Sequence, residues 1–145
     1  MIVKMYDDWR KLSVGPPGAV LGVEGDVGSK EVAWDVPRRC GDVDVSELRL
    51  QVHYVNADGD GDCSEAQGLE VGDDRMKFTW RVPPLALAKA GRVEAAFVAR
   101  GEDCEYKSAK GQFEVLGRLP EQDPAGAALV DHDGNVVVVQ VEGGE

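Results

Sequence analysis

The sequence predicts an all-β protein: an antiparallel, Ig-like β-sandwich with a C-terminal β-hairpin. Three observations lead there. Several short stretches alternate between apolar and polar residues, turn-forming residues recur about every dozen positions, and one stretch alone has respectable helix propensity. The alternation is clearest in residues 47–56, where Leu48, Leu50, Val52 and Tyr54 share one parity, and in 75–82, where Met76, Phe78, Trp80 and Val82 do. Successive side chains of a strand point to opposite faces, so each run has one side to bury and one to wet. Antiparallel strands covering a core on one side have this pattern.

Taken in order, residues 2–6 read as a short first strand. Residues 13–18 cannot be a sheet interior, because Pro16 and Pro17 lack the donor and Gly15 and Gly18 lack packing. A short apolar run at 19–23 precedes a turn at 24–30, rich in residues that tolerate positive φ or bond their own backbone. Residues 31–36 alternate with Val32, Trp34 and Val36 inward, and Pro37 ends that strand. Residues 38–46 form a polar connection whose 42–46 portion reads as a short edge segment. The central strand pair follows, with 57–67 as its acidic, glycine-rich connection and Pro83-Pro84 as its close. Residues 85–90 favour helix but span barely two turns before Gly91, so a loop or single turn docked on the sheet is expected.

Residues 92–100 alternate again, with Val93, Ala95, Phe97 and Ala99 on one side. The small Ala95 and Ala99 leave room for a large Trp34 or Trp80 from a facing layer. After a turn at 101–103, residues 104–109 and 112–116 supply further strands. Residues 118–126, with Pro120 and Pro124, read as a linker. Beyond it, 127–131 and 136–141 flank His132-Asp133-Gly134-Asn135, a strong hairpin signal. The chain thus divides into a sandwich domain at 1–117 and a linker with hairpin at 118–145. A lone two-stranded hairpin is rarely stable, so docking or pairing with another subunit is expected.

Composition narrows function. A chain of 145 residues is one domain long and buries roughly 68–70% of its unfolded surface, enough for a core without staples. With 16 basic and 27 acidic residues the formal charge is −11. Nucleic-acid binding needs Lys and Arg to displace counterions, and an anionic membrane surface needs the same, so neither is an expected partner. The first residues hold no apolar run long enough for a signal peptide, and no segment approaches a membrane span. Cys40, Cys63 and Cys104 are odd in number and widely spaced, which argues for a reducing compartment over a disulfide framework.

Candidate chemistry is sparse. The best metal candidate is Asn56-x-Asp58-x-Asp60-Gly61, whose oxygens at alternate positions resemble the start of a calcium loop, with Asp58, Asp60 and Asp62 as ligands. A calcium loop needs Glu at its twelfth position and Gln67 stands there, so a solvated loop is the expectation and no cofactor is required. A site from the three cysteines plus His53 lacks any C-x-x-C pair. His53 and His132 are expected to be exposed and have no nucleophile motif beside them; carboxylate pairs are abundant but none is marked out. Trp9, Trp34, Trp80, Tyr54, Tyr106 and Phe113 would suit a sugar-stacking platform. Because Trp34, Trp80 and Tyr54 run in phase with their strands' aliphatic residues, core filling is the better account. Trp9, outside any clean strand, is the tryptophan expected at an interface.

An ordered series of segments carries a resemblance. Glu24-Gly25-Asp26-Val27-Gly28-Ser29-Lys30 resembles the Gly-Asp-x-x-Ser-Arg-type opening of tail-baseplate domains. His53-Tyr54-Val55-Asn56-Ala57-Asp58-Gly59-Asp60-Gly61-Asp62 resembles their NY-x-NA-x-GEGD segment, and Phe78-Thr79-Trp80-Arg81-Val82-Pro83 their ITFTW-x-VP strand. Residues 91–100 look like the strand after that, and the likeness covers roughly 20–116. The chain is therefore similar to the N-terminal domain of the phage baseplate upper protein. The resemblance implies a non-catalytic sandwich that anchors in a phage or prophage tail through other baseplate proteins; a homo-oligomer is also expected. It also implies a place in the virion tail, assembled in the bacterial host cytoplasm. The rival reading is a carbohydrate- or cell-surface-binding sandwich, which exposed coplanar aromatics would favour; a small hydrolase would show converging titratable groups in a cleft.

Overall fold

Alternating runs become strands of two stacked sheets in the computed structural model, which describes residues 2–14, 19–28 and 30–120. In chain order the strands are β1 (Ile2–Met5), β2 (Leu12–Ser13), β3 (Val20–Val23), β4 (Glu31–Pro37), β5 (Arg39–Cys40), β6 (Val43–Asp44) and β7 (Arg49–Val55). They continue as β8 (Gly61–Glu65), β9 (Gln67–Val71), β10 (Arg75–Arg81), β11 (Gly91–Arg100), β12 (Glu105–Lys107) and β13 (Gly111–Leu116). One sheet has the order β2-β1-β4-β10-β9 and the other β3-β13-β11-β7-β8, with β12 pairing the far half of β11. β5 and β6 make a separate small ribbon.

The expected sandwich is present, and most of its pairings are antiparallel. Two are parallel: β1 with β4 (Val3 opposite Trp34) and β13 with β3 (Glu114 opposite Val20). Alternation reveals which face a strand buries but not its direction, and a parallel partner needs a long crossover rather than a tight turn. The hairpin expected at 127–141 lies outside the described residues.

The core forms where the inward parities meet. Val32, Trp34 and Val36 of β4 and Met76, Phe78 and Trp80 of β10 are buried against Val52 and Tyr54 of β7, Val93, Ala95, Phe97 and Ala99 of β11, and Phe113 and Val115 of β13. Aromatic contacts stitch the sheets together. Phe78 stacks on Phe97 at 5.5 Å between ring centroids, and Trp80 meets Tyr54 at 5.8 Å and Phe113 at 6.1 Å. Each such pair adds about 0.5–1.5 kcal/mol beyond the area it buries. The indole N–H groups of Trp34 and Trp80 have no hydrogen-bond partner among the described residues, so both tryptophans serve the core as apolar volume. After β10, Pro83 directs the chain into a single 3-10 turn, Pro84–Leu87, whose Ala86 and Leu87 are buried, as the weak helical stretch implied.

Three expectations are corrected. The runs at 47–56 and 75–82 are not partners in one sheet; β7 and β10 lie in opposite sheets and face each other across the core. The stretch read as their connection folds into β8 and the first residue of β9, with Ala66 alone between the two strands, its N–H donating to the Leu50 carbonyl. These edge strands expose both faces, so they carry no one-sided apolar pattern to read. Trp9 is not an interface residue. A left-handed backbone (φ 64°) turns it inward, where it is 5% exposed, donates from its indole to the Arg39 carbonyl and packs on Phe97 at 5.4 Å.

Candidate functional site

The acidic loop between β7 and β8 is organised by Asn56, which is 4% exposed. Its side-chain oxygen accepts the N–H groups of Asp58 (3.0 Å) and Asp60 (2.9 Å), and its amide donates to the Leu85 carbonyl at 3.0 Å. Gly59, at φ 88°, supplies the left-handed turn between them. The oxygen that opened the calcium-like pattern is thus engaged by main-chain donors. Asp58, Asp60 and Asp62 all lie exposed, and Asp62 accepts the Cys63 N–H. Among the described residues no three His, Cys, Asp or Glu gather as a metal-holding group, the three cysteines and His53 included.

A second constellation lies on the outer face of the β3-β13-β11-β7-β8 sheet. Gln51 points outward from β7 yet is 2% exposed. Its amide donates to Glu65 at 2.6 Å, which leaves its carbonyl oxygen to accept from His53 Nε2 at 2.9 Å. Arg49 completes the group by donating to Glu65 at 3.0 Å. Hydrogen bonds from Arg49, then Gln51, hold the Glu65 carboxyl below the usual carboxylate range. Desolvation, followed by the Arg100 charge, pushes the His53 pKa down, so its imidazole is neutral near pH 7. Beside this network is an open groove of about 490 Å3, lined by Val55, Ala96, His53, Cys63 and the Glu94–Lys110 ion pair.

The other displaced carboxylates tell the same story. Arg38 and Ser46 hold Asp44 well below its ordinary range, and Arg100 and Lys107 lower Glu105. A general acid at neutral pH needs the opposite shift. These carboxylates are structural ion-pair partners.

The third feature is the side of the sandwich where β8 ends one sheet and β9 ends the other. No described strand pairs with their outer edges. Every residue of β9 is exposed, Leu69 and Val71 by 38% and 45%. Sequence reasoning missed this edge. It also missed Gln51, since nothing in a polar residue between Leu50 and Val52 marks it for burial.

Of the aromatics weighed as a sugar platform, Trp9, Trp34, Trp80, Tyr54 and Phe113 are buried, and Tyr106 is half-buried against Trp9. Among the described residues no helix is long and apolar enough to cross a membrane.

No protein-family model matches the chain, and no curated protein matches it. Among solved structures it is similar to the N-terminal domain of phage TP901-1 ORF48, with a TM-score of 0.49 and 12% sequence identity, covering 79% of this chain and 96% of that one.

Proposed function

We propose that the chain is a non-catalytic structural component of a phage or prophage tail baseplate, acting through contacts with other tail proteins and with copies of itself. One observation carries the reading: the baseplate-like segments fall in the same order on strands and turns of one sandwich. The opening segment is the turn between β3 and β4, the acidic segment is the end of β7 and its turn, and the next two are β10 and β11. The chemistry is compatible with that role. The aromatics fill the interior, the shifted carboxylates are tied to arginines, and what remains for function is surface: strand edges, an acidic loop and a shallow outer groove. Its place is then the virion tail, assembled in the host cytoplasm, with neither metal nor cofactor needed.

Particles induced from the encoding strain test this directly. Gold-labelled antibody against the chain is expected at the tail tip of purified particles; a chain absent from washed particles overturns the reading.

A further inference from the structure

We propose that the free side of β9 is a docking strand for a partner protein, taking an extended segment whose side chains alternate between apolar and basic. The proposal rests on the assembly role above and names one place where such a contact is made. Main-chain geometry is the first support. The Gly72 N–H donates to the Arg75 carbonyl at 2.8 Å, so Gly72 faces β10, and antiparallel alternation turns the N–H and C=O of Val71 the opposite way. Sheet edges are normally blunted by lysine, proline or a covering loop. Here Val71 and Leu69 instead present apolar side chains beside an unpaired backbone. The irregular register opposite Lys77–Thr79, where Gly68 takes φ 59°, bounds the usable edge on one side, and the turn at 72–75 bounds it on the other.

Charge supplies the second support and chooses the occupant. At the turn end is a hollow of about 560 Å3 lined by Glu70, Asp73 and Asp74. The neighbouring cations are engaged: Arg75 by Asp35 and Asp7, and Arg38 by Asp44 and the Gly72 carbonyl. Lys77 alone lines the hollow without a carboxylate partner among the described residues. A lysine or arginine on an added strand meets these carboxylates, whereas a second copy paired edge to edge brings the same carboxylates together. Strand addition supplies affinity through main-chain hydrogen bonds and specificity through alternate side chains.

The test uses the full chain and two short capped peptides, one alternating valine with lysine and one alternating valine with glutamate. Residue-resolved amide exchange is expected to slow at Val71 by about tenfold or more with the lysine peptide only. Val71→Pro removes the outward donor without touching the β9–β10 ladder, and Asp73→Lys with Asp74→Lys reverses the charge of the hollow. Each is expected to weaken binding about tenfold at an unchanged melting temperature. Equal binding of both peptides, protection centred on another strand, or indifference to both variants overturns the proposal. Dimerisation that Val71→Pro abolishes overturns it in favour of a second copy. A chain that enters tail particles but binds neither peptide refutes this contact and leaves the assembly role standing; a chain that binds the lysine peptide but is absent from tails refutes the role alone.

Discussion

Trp80 touches Trp34, Tyr54 and Phe113, so it joins both sheets through one side chain. Truncation leaves a cavity that rigid strands cannot collapse, and Trp80→Ala is expected to cost about 3–5 kcal/mol in urea unfolding. A loss below about 1 kcal/mol would place the ring outside the core. Asn56 has a different task, holding the acidic turn and the Leu85 carbonyl through three hydrogen bonds. Asn56→Ala removes the partner of those part-buried main-chain groups and is expected to cost about 1–3 kcal/mol, with the far-UV spectrum retained. His53 carries the pH dependence of the outer network. Its folded pKa is depressed, so the unfolded chain binds the proton more readily. The stability it contributes is therefore complete above about pH 6.5 and is lost as the pH falls toward its lower folded value. Glu65, depressed through Arg49 and Gln51, has the same sign in the more acidic window below the ordinary carboxylate pKa. His53→Asn should flatten the fall in urea midpoint between about pH 7 and pH 5; an unchanged slope contradicts this assignment.

Among the elements, β1 is held by its ladder with β4 and also by Arg75, which ion-pairs with Asp35 of β4 at 2.7 Å and with Asp7 at 2.8 Å and reaches the Met5 carbonyl. Arg75→Ala is expected to speed amide exchange at Val3 and Met5 while leaving β7 and β11 protected; uniform loss of protection would contradict a local role. The strands readable from sequence are those with one face in the core: β4, β7, β10 and β11 each place three or more apolar residues in phase, and those residues are buried. β8 and β9 were illegible because an edge exposed on both faces imposes no alternation. Partnership was equally hidden. Nothing in the parities of β7 and β10 separates strands that pair side by side from strands that face each other across a core. Trp9 lacked a periodic context altogether, since a single left-handed residue, not a strand, turns it inward. The candidate site shared these limits: the aspartates stood out in the sequence, while the Asn56 amide anchors the loop to Leu85, distant in the chain.

For the whole molecule, a net charge of −11 over the 145-residue chain favours solubility and steering toward basic surfaces over nucleic acid. An interior filled by aromatics from both sheets leaves interaction to edges and outer faces, which is where an assembly component works. Light scattering is expected to give a mass that is a multiple of the 15.6 kDa chain, and a strict monomer at high concentration would remove self-association from the account. The most direct test of the central claim is cross-linking mass spectrometry on purified tail particles from the encoding strain. Cross-links are expected from this chain, including Lys77 beside the free edge, to a second tail protein. Particles that lack the chain, with the protein recovered instead as a free glycan binder or an active hydrolase, would contradict it.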